Sequence, residues 1–184
     1  MVREFKNNRG LSLVELLIGI VILGIILTAI YNLFISANKS QVAQDLEVDM
    51  QQNARSAADF VVRELRNISA LSCLENTTTT CATSGDKIMF TSTADSDTRI
   101  FSWSSTDNIL RFSKAPSGSP DRQPLADNTT AFTFAPFDQN NNSTTNLSSV
   151  TRIDITITAR TARTDPNTKG YRSYSIRTSV MKRN

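Results

Sequence analysis

From Leu11 to Asn38 the chain carries a single charged residue, Glu15, in a run dominated by leucine, isoleucine and valine. About 20 apolar residues rising 1.5 Å each span roughly 30 Å of hydrocarbon, so the run is long enough for a membrane helix. A carboxylate in such a helix costs about 2.5–3.5 kcal/mol at mid-bilayer and less toward the interface. Glu15 is therefore expected to have a job. Arg3, Lys6 and Arg9 form a basic flank before the run, and Gly10 stands at the junction. Three readings compete. A secretory signal peptide has a shorter apolar core followed by a small-x-small cleavage site, and Phe34-Ile35-Ser36-Ala37 is a poor one. A plain signal anchor fits the length but leaves Glu15 unexplained. In the third reading the cut falls at Gly10–Leu11, the helix is kept, and Glu15 becomes the fifth residue of the mature chain.

Gly10, followed by Ser12, Leu13, Val14, Glu15, Leu16 and Leu17, resembles the junction of type IV prepilins and of the pseudopilins of type II secretion. Leu11 stands where that family usually has phenylalanine, a position at which its peptidase accepts other apolar residues. The resemblance implies that an aspartyl membrane peptidase cuts after Gly10 and that the new amine of Leu11 is methylated. It also implies that Glu15 neutralises the amine of a neighbouring subunit in a filament. The physics agrees: an α-amine has an ordinary pKa of about 7.7–8.0, and pairing it with a carboxylate offsets a penalty that either charge suffers alone in low dielectric.

The 184 residues include 20 Lys plus Arg, 17 Asp plus Glu and no histidine, for a net charge of +3. Without residues 1–10, which hold Arg3, Lys6, Arg9 and Glu4, the count is 17 against 16 and the net +1. The basicity is mostly leader, and nucleic-acid binding is not indicated. Positive charge ahead of the helix predicts a cytoplasmic N-terminus and an extracytoplasmic remainder. Lack of histidine excludes a Ser-His-Asp triad and an H-E-x-x-H site, and no glycine-rich phosphate loop is present. The chain is not expected to be an enzyme or to hold a cofactor. Asp95 and Asp97 read as a hairpin turn.

Cys73 and Cys81 lie in a polar, threonine-rich stretch, and in an oxidising compartment the default is one small disulfide loop. A metal site needs more ligands. Asp138-Gln-Asn-Asn-Asn142 has the oxygen density of a calcium loop but lacks the glycine and closing glutamate of an EF-hand, so an asparagine-rich turn is the better reading. Trp103 reads as a core or strand-face residue in preference to a ligand-stacking one.

Neither proline nor glycine occurs from Ser36 to Leu71, and Val42, Leu46, Met50, Ala54, Ala57, Val61, Leu65 and Ile68 recur at helical spacing. Asp45, Glu47, Asp49, Arg55, Arg63 and Arg66 lie opposite, with Asp59 placed to pair with Arg63. A single helix from Leu11 to Leu71 is predicted, roughly 90 Å long at 1.5 Å per residue. Gly19 and Gly24 read either as points of close helix–helix approach or as ordinary membrane-helix glycines. Strands are predicted at Lys87–Thr91, Arg99–Ser104, Ile109–Ser113, Ala131–Phe137, Val150–Thr161 and Tyr171–Met181, and Pro116, Gly118, Pro120 and Pro124 mark a long loop. The expected architecture is α+β, with a long N-terminal helix under an antiparallel sheet. Its parts are a leader (1–10), a membrane or filament-core half-helix (11–35), an amphipathic half-helix (36–71) and a β-rich head (72–184).

Gln52-Asn53-Ala54-Arg55, Ala57-Ala58 and Arg63-Glu64-Leu65-Arg66 are similar to the stretch after the anchor in PilW-type minor pilins. Val150–Arg160 and the closing Arg183-Asn184 are similar to PilW-type proteins and to the related J-type pseudopilin. Many major pilins have proline where this chain has Asn32. The resemblance implies a minor pilin that helps prime a type IV pilus and sits near its tip. Its partners would be other minor and major pilins, prepilin peptidase, the inner-membrane assembly platform and, before assembly, the membrane. The location implied is the bacterial inner membrane and then a surface or periplasmic filament. A J-type pseudopilin and a single-pass anchored adhesin or sensor are the alternatives.

Overall fold

The computed structural model describes residues 12–75, 81, 86–115 and 122–182. The fold is α+β: one long N-terminal helix and two antiparallel sheets. The chain divides into two compact units, Met1–Val42 and Ala43–Asn184.

Helix α1 runs from Leu13 to Leu65. In the first unit its side chains from Ser12 to Phe34 are all exposed, as expected of a surface suited to lipid or other helices. In the second unit Ala43, Met50, Ala54, Ala57, Ala58, Val61 and Leu65 are buried. That stripe is close to the predicted one, but Val42 is half exposed and Ala43 takes its place. Four of the seven buried residues are alanine, so the helix brings little volume to its seam and the sheets must supply it.

The helix stops six residues earlier than its apolar spacing predicts. Asn67 N donates to Glu64 O at 3.2 Å, a tightened last turn, and Asn67 O accepts from Thr93 N at 2.8 Å. Ile68–Leu74 then forms β1. Ile68 and Leu71 fit a helical stripe and a strand equally well, and the chain resolves that ambiguity by pairing β1 with β2, Ile68 opposite Ser92 and Leu74 opposite Ile88. The β-rich head thus begins at residue 68, where a helix had been expected up to 71.

Strands β2 (Asp86–Ser92), β3 (Thr98–Ser104), β4 (Ile109–Ala115) and β5 (Gln123–Ala126) complete a five-stranded meander in the order β1-β2-β3-β4-β5. The turns that need a left-handed residue use Ser96, Asn108 and Asn128, with φ of 59°, 56° and 55°. Pro124, expected in a loop, lies in β5, an edge strand where a missing N–H is tolerated. Pro116, Gly118 and Pro120 lie outside the described residues.

Strands β6 (Thr129–Phe137), β7 (Arg152–Arg160) and β8 (Ser173–Met181) form a second sheet in the order β6-β7-β8. Along β7, Ile153, Ile155, Ile157 and Ala159 are buried and the residues between them are not, as their alternation predicts. A single sheet was expected; there are two, sharing one core. Phe90 and Phe101 from the first sheet and Phe132 from the second are fully buried against Val61 and Leu65 of α1.

Candidate functional site

Gly10 and Leu11 lie outside the described residues. Ser12 opens the described chain, its carbonyl accepting from Leu16 N at 3.1 Å to close the first helical turn. Glu15 falls in that turn. There the unpaired backbone N–H groups and the positive end of the helix dipole favour a negative charge. Among the described residues no cation lies within ion-pair distance of Glu15. The next charge along the chain is Lys39, after a stretch of helix long and apolar enough to cross a membrane. A carboxylate so placed can accept a cation brought by another molecule.

Among the described residues, nothing lies within 4 Å of the position a Cβ would take at Gly19 or Gly24, so no packing among them requires these glycines. Thr28 Oγ1 donates to Gly24 O at 2.8 Å, which satisfies its hydroxyl within the apolar stretch.

Cys73 and Cys81 form a disulfide with their Cα atoms 5.2 Å apart. Cys73 is a buried residue of β1. Beside it the ladder continues through Leu74 opposite Ile88 and the bond from Glu75 N to Lys87 O at 2.8 Å. The bridge fastens the chain leaving β1 back onto that strand.

The remaining acidic candidates are structural. Asp138 Oδ1 accepts from the backbone N–H groups of Asn140 and Asn142, each at 2.8 Å, so the asparagine-rich segment is a turn organised by its own aspartate. Among the described residues no group of His, Cys, Asp and Glu is disposed to hold a metal ion. Asp95 Oδ1 accepts from Asp97 N at 3.3 Å in the β2–β3 turn. Trp103 is half buried, with its indole N–H donating to Thr129 O at 2.8 Å and Lys87 Nζ 5.4 Å from its ring centroid. Arg63 lies over the Phe60 ring at 5.2 Å instead of pairing with Asp59.

Two ion clusters escape a reading of the sequence. Arg99, 8% exposed, bonds Glu64 of α1 and reaches Asp95 at 2.9 Å, while Lys114 Nζ reaches the same Asp95 at 2.6 Å. The hydrogen bond from Lys114 holds the Asp95 carboxyl below its ordinary range, and burial lowers the pKa of Arg99. The second cluster joins Asp165, Arg172 and Glu47. The turn residues around Asp165 were the only signal for it, because the partner on α1 lies 125 positions from Arg172.

Comparison with curated proteins finds no match to the chain. Residues 5–31 match the prokaryotic N-terminal methylation motif, so the chain carries a type IV prepilin-like leader at the head of its apolar helix.

Proposed function

We propose that the chain is a minor pilin that helps initiate assembly of a type IV pilus and resides in the complex near the filament tip. The supporting observation is the methylation motif at residues 5–31, with Glu15 as the single charge between Leu11 and Asn38. In this reading prepilin peptidase frees the α-amine of Leu11 while the helix is still in the inner membrane. As the subunit moves into a bundle of helices, that cation and the Glu15 carboxylate of a neighbour offset each other's desolvation. The exposed apolar half of α1 is covered first by lipid and then by other pilins. A tipmost subunit has no amine above it to neutralise. A chain that keeps Glu15 therefore belongs under at least one other minor subunit.

A J-type pseudopilin of type II secretion is the second reading, since Val150–Arg160 is similar to that protein as well as to PilW-type minor pilins, whereas Gln52–Arg66 favours the pilus. Processing and location test the proposal. Mass spectrometry of the chain from peptidase-competent cells is expected to show a methylated Leu11 terminus, and the mature chain should be found in sheared surface filaments. An intact Met1 terminus would return the chain to a single-pass anchored adhesin or sensor, whereas a cut near Ala37 would remove the apolar run and make it a secretory signal peptide; either result would sink the prepilin reading. Normal piliation with failed export of secretion substrates in a deletion strain would assign it to the secretion system.

A further inference from the structure

The four edges of the two sheets are not alike. A free strand edge is a template for another chain, and proteins blunt it with short strands, proline, charged side chains, bulges or a covering loop. Strand β5 is four residues long and contains Pro124. Strand β1 is broken by register shifts between Ile68 and Ala70 and between Leu71 and Cys73. Strand β6 has a shift between Thr129 and Ala131, contains Pro136, and is covered at its end by a bridge from Phe137 to Ser143 and by Thr144 N donating to Pro136 O at 3.2 Å.

Strand β8 has only the charge of Arg177 among these guards, and a charge selects a partner where proline, bulges or a covering loop would block one. It is nine residues long, without proline or glycine, and pairs with β7 with no shift from Arg160 opposite Ser173 to Arg152 opposite Met181. Among the described residues no backbone hydrogen bond reaches its other side. Its one charged side chain, Arg177, is 69% exposed.

We infer that β8 accepts an extended strand from a different protein, one that presents a carboxylate opposite Arg177. Charge disfavours a second copy of this chain. Arg177 is the middle residue of β8, so two β8 strands paired antiparallel at full overlap set Arg177 against Arg177 and Arg172 against Lys182. Like charges directly opposite on paired strands are destabilising. An acidic partner fits instead, because Arg152 and Arg177 now share one carboxylate, Asp154, each at 3.1 Å. The same residues, with Thr178, Ser179 and Met181, line a shallow open depression of about 440 Å³ in which the incoming side chains would sit. Met181, 71% exposed at the end of the strand, offers them an apolar contact. Main-chain bonds would supply affinity and the carboxylate the choice of partner. The inference concerns the head alone and holds for any fate of the leader.

The test uses the full chain in detergent, its disulfide intact, and two synthetic peptides, Thr-Val-Thr-Val-Glu-Val-Thr-Val-Thr and the same sequence with a central lysine. Amide hydrogen exchange across Ser173–Met181 is the readout. The glutamate peptide is expected to slow exchange there about tenfold and the lysine peptide much less, with the order reversed in Arg177→Glu. Should Arg177→Glu fail to fold, Arg177→Gln carries the test, and its preference for the glutamate peptide must vanish. No protection by either peptide, equal protection by both, or a preference that survives in Arg177→Gln would overturn the proposal. So would a slowly exchanging β8 without peptide in a particle of dimeric mass, which would give the edge to a second copy.

Discussion

Arg172 joins Asp165 to Glu47: its Nη2 lies 2.6 Å from Asp165 Oδ2 in the loop between β7 and β8, and its Nη1 lies 2.7 Å from Glu47 Oε2 on α1. Asp165 is 2% exposed, and its other oxygen accepts from Asn167 N at 2.7 Å and from Thr168 N at 3.4 Å. The Asn167 amide first, and then Arg172, hold its carboxyl below the ordinary 3.8 against the opposing effect of burial.

A depressed carboxyl pKa stabilises the fold above the unfolded-state value, and the contribution disappears as pH falls through the folded one. Head stability is therefore expected to be flat near neutrality and to drop below the ordinary value of 3.8. Asp95 and Asp107, lowered chiefly by bonds from Lys114 and Arg111, act with the same sign. Asp165→Asn should lower the urea midpoint at neutral pH and make its acid fall shallower without abolishing it. Midpoints measured from about pH 7 to about pH 3 check this, and parallel curves for wild type and variant would show that Asp165 is not one of the groups responsible.

Phe101 is the hub of the aromatic core, with ring centroids 5.1 Å from Phe112, 6.2 Å from Phe90 and 6.3 Å from both Phe60 and Phe132. Phe101→Ala removes a fully buried ring and is expected to cost about 3–5 kcal/mol of head stability. Phe34→Ala is the control. That ring is 62% exposed on the apolar half of α1, so its loss should leave head stability unchanged in denaturant titrations in detergent.

Where burial and local period agree, the chain is legible from its sequence. The alternation of Ile153, Ile155 and Ile157 announces β7, and the helical spacing from Met50 to Leu65 announces the seam of α1. Where one apolar pattern serves two structures, tertiary pairing decides. Ile68 and Leu71 continue the helical stripe, yet they form β1 because β2 offers a ladder. The short β5 was hidden by Pro124, a residue that usually marks loops but is tolerated on an edge. At the candidate site the sequence supplies nearly everything, since Gly10, Leu11 and Glu15 are neighbours in the chain. The Arg99 and Arg172 clusters were not legible, because each joins charges that only the fold brings together.

The bridge between Cys73 and Cys81 closes a small ring. The loop-entropy relation makes a ring this short worth only about 2–3 kcal/mol. Reduction, or a double Cys→Ser variant, should lower the unfolding free energy of the head by that amount, with a matching fall in its urea midpoint, and leave its secondary structure in place. Circular dichroism with urea titration tests both halves. Collapse of the sheet signal on reduction would mean that the bridge holds the β1–β2 hairpin together and does not merely tether the chain beyond it.

Glu15→Ala separates processing from assembly. In the proposed reading the peptidase reads chiefly Gly10 at the junction, so leader removal should persist. The head should also persist, since Glu15 lies in the first turn of α1 and the buried residues of that helix begin at Ala43. The substitution removes the carboxylate proposed to meet a neighbour's amine, and leaving that cation unpaired in an apolar bundle costs about 3–5 kcal/mol. At 1.4 kcal/mol for each factor of ten, the incorporated fraction should fall by about two to three and a half orders of magnitude. Mature protein should therefore accumulate in the inner membrane while surface filaments disappear, which filament counts and immunoblots of membrane fractions read together. Glu15→Asp should restore part of the piliation, because it keeps the charge and shortens only its reach. Wild-type piliation with Glu15→Ala would show that Glu15 is not an assembly contact and would reopen the tipmost position, where no amine above it needs a partner.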